Sequence, residues 1–328
     1  TVTADTPRRV PDGRRAHGVH GVYSARAASR VLPACSARPR APVAPPIAPD
    51  THSTRRVNPN AVPATSPASM ALSLWRHRQL IARLAWREVV GRYRGSVMGI
   101  AWAFLHPLLM LSVYTFVFSV VFKARWAGGA GGDESRAQFA LVLFVGMIIH
   151  GLFSECVIRA PGLLLGNRNF VKKVVFPLEV LPVVTLAAAT FHAAVSVGVL
   201  ALALLLVNGH LPWTALLLPL VLAPLAMWTL GAAWVLTSLG VFVQDIGQTI
   251  GIVATVLLFL SPVFFPISSL PVELQPLMRL NPLTLIIEQA REVLVWGRLP
   301  DFAALGAYAA VSALASAAHA RAVRYCEC

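Results

Sequence analysis

Six apolar runs, separated by charges or turn residues, follow one another at 95–122, 137–158, 180–207, 211–243, 246–272 and 302–320. A helix rises about 1.5 Å per residue, so roughly 20 residues cross the hydrocarbon core of a bilayer. The first run has 28 residues and no Asp, Glu, Lys or Arg. Backbone groups in lipid must find their hydrogen bonds within the chain. The pattern therefore predicts an all-α integral membrane protein with six transmembrane helices. No formal charge occurs between Glu179 and Asp245, and Asn208-Gly209-His210-Leu211-Pro212 predicts the turn between two spans. The run 211–243 is longer than one straight span needs. Its Pro212, Pro219 and Pro224 predict that part of it is interfacial or kinked.

Residues 75–94, just before the first run, predict a helix. At about 100° per residue Arg76, Arg83, Arg87 and Arg94 fall near one line, and Leu74, Ile81, Ala85 and Val89 fall on the far side. Arg78 and Arg92 interrupt that apolar side. The pattern fits an N-terminal interfacial helix with Arg83, Arg87 and Arg94 toward phosphates. It also fits a solvated helix packed on a partner subunit. Residues 1–69 differ in kind: they hold 11 of the 24 prolines and ten arginines, without lysine or methionine. Such a segment cannot bury enough apolar surface to offset its ordering entropy, so disorder is expected. Met70 is the expected start of the working protein; a native arm or an organellar transit peptide is the rival reading. The chain then divides into a Pro/Arg-rich extension (1–69), a basic interfacial helix (70–94) and a six-helix transmembrane domain (95–328).

Six spans place both ends on one side. With that side cytoplasmic, inside connections carry twelve Lys and Arg against six outside, which supports cytoplasmic termini. The net charge of +14 is thereby read as loops that hold helices inside, not as a nucleic-acid surface; no aromatic–basic module accompanies it. The chain is 56% hydrophobic and 13% charged, against about 25% charged in soluble domains. Cys35, Cys156, Cys326 and Cys328 show neither zinc spacing nor a disulfide framework. Residues 159–179, with four basic residues and Pro161 and Pro177 near the ends, can hold a short helix across the spans. Residues 267–301, broken by Pro271, Pro276 and Pro282, favour short external re-entrant or surface helices over one span. Leu283–Trp296 is amphipathic, and Glu288 with Arg291 is expected to be a surface ion pair worth little.

Candidate chemistry is sparse. Lys123, Lys172 and Lys173 are the lysines, and none follows a glycine, so the chain has no P-loop. Paired aspartates, HExxH and GxSxG are absent, which disfavours the corresponding transferase, metalloprotease and hydrolase chemistries. Asp245, between two apolar runs, is either a cytoplasmic-edge anchor or coupling element, or part of an ordinary short loop. Glu155 either lines a polar interior or reaches the cytoplasmic interface. His106, His150 and His192 are expected to serve polar helix packing. Tyr114, Phe118 and Phe122 recur every four residues. That stripe suits sugar stacking along a conduit, or helix packing and an interfacial belt.

Several motifs coincide in order and spacing over about residues 75–302. They are Trp86-Arg87-Glu88, the stretch Arg92 to Trp102, His106-Pro107-Leu108, Tyr114 to Phe118, Asn167 to Lys173 and Phe176-Pro177-Leu178-Glu179. Asp245-Ile246, Ser261 to Pro266 and Asn281-Pro282-Leu283 follow. Together they resemble the ABC-2 type permeases that export polysaccharides or polyol phosphates. The resemblance implies a homodimer in the cytoplasmic (inner) membrane that moves a glycan or lipid-linked glycan. It implies two ATP-binding subunits that carry ATP and Mg, so that this transport subunit has no cofactor or catalytic residue of its own. It makes 159–179 the cytoplasmic coupling helix, with Asn167, Arg168, Asn169, Lys172 and Lys173 against the ATPase. It makes 267–300 external gate helices, with Arg279, Asn281, Glu288 and Arg291. Arg83, Arg87 and Arg94 become contacts for lipid or substrate phosphate. Gln244 stands where the family commonly has arginine, and the last ten residues lack the family's usual ending. An ABC-2 exporter of small molecules, or a membrane enzyme of lipid-linked sugar metabolism, is the alternative.

Overall fold

All regular structure among the described residues of the computed structural model is helical. Those residues are 72, 74–117, 136–167, 180–243 and 245–326, with the side chains of 136–137 and 317–326 left out. They belong to the unit Asn60–Cys328. The extension 1–69, Phe118, Phe122, Arg168, Asn169, Lys172 and Lys173 lie outside the described residues. The helices are α1 (Arg78–Tyr93), α2 (Trp102–Tyr114), α3 (Arg136–Arg159), α4 (Leu163–Gly166) and α5 (Val180–Asn208). Then come α6 (Leu218–Phe242), α7 (Ile246–Phe259), α8 (Gln275–Arg279), α9 (Pro282–Arg291) and α10 (Phe302–Cys326).

Four stretches are long and apolar enough to cross a membrane: Gly99–Val117, Gln138–Gly166, Val180–Asn208 and Trp213–Phe242. Two further apolar helices, Ile246–Phe259 and Phe302–Ser316, are shorter. Within the expected span 246–272 the regular helix is shorter than the apolar run: α7 has 14 residues, about 21 Å of helix. Pro262 explains the stop, because it lacks an amide donor and disfavours helical geometry in the residue before it. The chain continues through turns to a 3₁₀ turn at Ile267–Ser269. The tract 211–243 is also not one regular helix. It opens with a 3₁₀ turn, Trp213–Leu217, before α6. The turn at 208–212 falls where expected, with Gly209 at φ 74° donating its N–H to Leu205 O, a left-handed cap that suits glycine.

α3 is the hub. In its most apolar window 67% of residues are buried, against 17–33% in the other three long stretches. It packs on α5, α6, α7 and α9. The sequence explains this, since residues 139–149 of α3 are apolar on all sides, with Leu141, Val142, Leu143 and Val145 all nearly inaccessible. The outer helices leave Leu206, Leu216 and Ile252 exposed, as helices surrounded by lipid tails can. α9 is also central, with Leu283, Ile286, Ile287 and Ala290 fully buried.

The turn after α3, Ala160–Gly162, is seated on α6. Thr237 donates its hydroxyl to Ala160 O at 3.0 Å. Gly240 lets the two backbones meet: a Cβ there would lie 2.3 Å from Pro161 O.

Candidate functional site

Ala85, Val89 and Arg92 are four and three residues apart on α1, so they share one face. Ala85 packs with Val180 and Val184 of α5, and Val89 is buried. The apolar side of α1 is thus covered by the chain's own α5. Arg92, at the end of the same line, points into the body of the protein. Its guanidinium lies 2.8 Å from Glu155 Oε1 of α3 and 2.9 Å from His192 Nδ1 of α5. That nitrogen is also 3.2 Å from both Glu155 oxygens. It cannot accept from Arg92 and donate to Glu155 at once, so the tautomer of His192 selects the contact. Arg159, one turn beyond Glu155, lies 3.5 Å from it and pairs with Glu88 of α1. Five side chains therefore tie α1 to α3 and α5. The Trp86–Phe191 and Tyr93–His192 ring edges add to the same seam.

Glu155 is 16% exposed, whereas Arg92 and Arg159 are 44% and 38% exposed. The carboxylate is the desolvated member, and water screens its partners. Glu155→Gln is accordingly expected to cost about 1–2 kcal/mol. Its main effect is to loosen α1. Trypsin is expected to cut after Arg92 several-fold faster while the thermal midpoint moves little. Unchanged cutting would mean that the apolar face alone holds α1.

A cavity of about 640 Å³ opens beside this cluster. Arg92, Glu155 and His192 line its polar end; Tyr114, Phe144 and Met147 line its apolar end. The space exists because α5 offers Ala189, Ala193 and Ser196 along this wall, small side chains at one helical face. His106 also borders it, exposed, and does not pack between helices as expected. His150 and His192 do take part in helix packing: His150 is buried with Nε2 3.0 Å from Ala254 O of α7.

Arg87 and Asn167 come together on a second cleft of about 250 Å³, beside Glu88 and Arg159. Asn167 donates to Leu163 O at 2.9 Å. Arg83 is exposed on α1. Arg94 leaves the expected stripe, because α1 ends at Tyr93 and Arg94 is extended. Asp245 is an exposed helix cap of α7 whose side chain makes no capping hydrogen bond. Among the described residues no three His, Cys, Asp or Glu gather to hold a metal ion.

The external segment departs most from expectation. Arg291 is not in a surface pair; it is 4% exposed. Its Nε donates to Val142 O of α3 at 3.1 Å, and a terminal nitrogen donates to Val263 O at 2.9 Å. Gly146 provides the room, since a Cβ there would lie 3.2 Å from both the guanidinium and the Val263 backbone. Burial lowers the Arg291 pKa to about 9, opposed by the Glu288 charge, which leaves it charged at neutral pH. Burial raises the Glu288 pKa, opposed by Arg291 and Arg279. Asn281 caps α9 by accepting from Leu283 N, and its amide donates to Ser261 Oγ at 2.9 Å. Asn followed by Pro is a strong helix start. Arg279 is exposed on α8.

A protein described as O-antigen export system permease protein RfbA, from Myxococcus xanthus, is 29% identical over 73% of this chain and 89% of its own length. One of the same description from Klebsiella pneumoniae is 23% identical over 65% and 79%. The family described as ABC-2 type transporter matches residues 79–295, an interval that holds both the ion cluster on α1 and the Arg291 clamp. As that match covers about two thirds of the sequence, the chain belongs to the ABC-2 type transporter family.

Proposed function

We propose that this chain is the membrane permease subunit of an ATP-driven exporter that carries a polysaccharide or polyol phosphate, in the form of a lipid-linked glycan, across the cytoplasmic membrane. The family match from α1 to the end of α9 carries the reading, and the O-antigen export descriptions of its relatives support the cargo. Two copies form the path. Each docks a separate ATP-binding subunit that holds ATP and Mg, in keeping with a sequence that has no P-loop lysine. In this reading α7 and α10 complete six crossings, with both termini cytoplasmic. The turn seated on α6 leads into 163–179, where Asn167, Arg168, Asn169, Lys172 and Lys173 meet the ATPase. Arg83, Arg87 and Arg94 hold phosphates at the entrance. Phe118 and Phe122 of the aromatic stripe face the passing sugar, whereas Tyr114 borders the cavity beside α3. Arg279, Asn281, Glu288 and Arg291 belong to the external gate.

Deleting the gene in its host, then restoring it, tests the reading. Surface glycan is expected to disappear and return, with lipid-linked glycan accumulating inside meanwhile. Intact surface glycan with lost efflux of a small molecule would overturn the cargo. Turnover of a lipid-linked sugar by the purified chain without any ATPase would overturn the transport role. Reversing Lys172 and Lys173 to glutamate is expected to cut ATP-dependent export while insertion stays normal. Normal export in that variant would remove the coupling assignment.

A further inference from the structure

We infer that the cavity between α2, α3 and α5 holds one chain of a resident glycerophospholipid, with its phosphodiester at Arg92. The polar mouth and the apolar end of the cavity are marked on α3 by Glu155 and Phe144. Eleven residues of helix separate them, about 16 Å at the helical rise, close to the depth of one leaflet of an approximately 30 Å hydrocarbon core. Ala103, Pro107, Met110 and Tyr114 of α2 border the cavity at intervals of four, three and four residues, one helical face. Phe104, Leu108 and Val113 of the same helix are exposed on other faces. The cavity is thus distinct from the outer surface of α2. Its volume lies in the range that takes one small ligand.

The charges at the mouth select the headgroup. Arg92 uses two nitrogens on Glu155 and His192, yet its side chain remains 44% exposed at the opening. A guanidinium has five N–H donors, so some are left for a ligand. Glu155 offsets the Arg92 charge, and Glu88 offsets Arg159. A floor so balanced does not concentrate polyanions. It suits a phosphodiester, which carries a single negative charge and needs one guanidinium. Tyr93, Ser96 and His106 stand at the same mouth as further hydrogen-bonding groups. The leaflet is the one on the Arg92 side of the membrane.

The site does not depend on the proposed cargo, because its test needs neither ATP nor glycan. The full chain is reconstituted in phosphatidylethanolamine–phosphatidylglycerol vesicles with a trace of phosphatidylcholine bearing a photoactivatable group near the end of one acyl chain. A second set of vesicles carries the diacylglycerol with the same chain. Labelling from the phospholipid is expected to concentrate on Tyr114, Phe144 and Met147 over Phe104 and Leu108. Met147→Trp from α3 and Ala193→Leu from α5, which both fill the cavity, are expected to remove that excess. Arg92→Gln is expected to lower it about tenfold, the worth of one charge-assisted hydrogen bond. Arg92→Lys keeps a cationic donor at the mouth, so most of the labelling is expected to persist. Even labelling of both faces of α2, equal labelling by the diacylglycerol, no response to either filling variant, or equal loss in Arg92→Gln and Arg92→Lys would overturn the inference.

Discussion

Arg291→Ala is expected to destabilise the protein by about 3–5 kcal/mol, a large part of the 5–15 kcal/mol that typically holds a domain together. The guanidinium joins two backbone carbonyls that no chain connection holds together, Val142 on α3 and Val263 in the turn after α7. Val142 O can also accept within its own helix, so its loss is tolerable. Val263 O lies outside regular helix, and removal of its donor buries it unsatisfied. Alanine also leaves a void beside Gly146 and takes the nearby cation from Glu288. Arg291→Met restores much of the volume but neither donor, so it is expected to recover only part of the loss. The defect has a pH signature. Burial raises the Glu288 pKa in the folded state, so the folded protein binds the proton more tightly than the unfolded chain. Stability then falls as pH rises from the ordinary glutamate range through the raised folded value. Without Arg291 that raised value climbs further. The alanine variant should be closest to wild type under acidic conditions and furthest from it under alkaline ones. Thermal unfolding in detergent across pH measures this; a pH-independent deficit would rule out the Glu288 contribution.

The same residue shows where sequence reasoning stopped. Glu288 and Arg291 stand three apart on an amphipathic stretch, the pattern of an ordinary surface pair. Nothing local to α9 reveals that Gly146, on another helix, leaves a slot of guanidinium size. The long apolar runs were legible because a bilayer imposes a length and bars charge, and both are properties of contiguous residues. The break after α7 was not, since Ser261-Pro262 sits inside a run that hydropathy counts as continuous. The ion cluster was half legible. Arg92 interrupted the apolar side of a helix, and a charge turned toward protein requires a partner. Its partners lie on helices far along the chain, His192 being 100 residues away, and spacing alone cannot name them.

Gly240→Ala tests the joint through which the cytoplasmic loop is mounted. The new Cβ would stand 2.3 Å from Pro161 O, 2.6 Å from its Cα and 2.8 Å from its carbonyl carbon. All three are backbone atoms, so no side-chain rotation relieves the contact. The turn cannot simply lift away either, because Thr237, one turn earlier on α6, holds Ala160 O at 3.0 Å. Overpacking of this kind costs about 3 kcal/mol or more when neighbours cannot yield. Gly251 on α7 is the control, since a Cβ there meets nothing within 4 Å. Its replacement by alanine is expected to be neutral or to stabilise by up to about 1 kcal/mol through helix propensity. The two substitutions add the same methyl group and differ by several kilocalories in consequence if the α6–turn contact is as tight as its geometry. Thermal midpoints of the purified variants compare them, and trypsin cleavage within 168–173 reports whether the loop beyond the turn has shifted. Equal midpoints and equal cleavage for the two variants would show that the turn is free to move on α6.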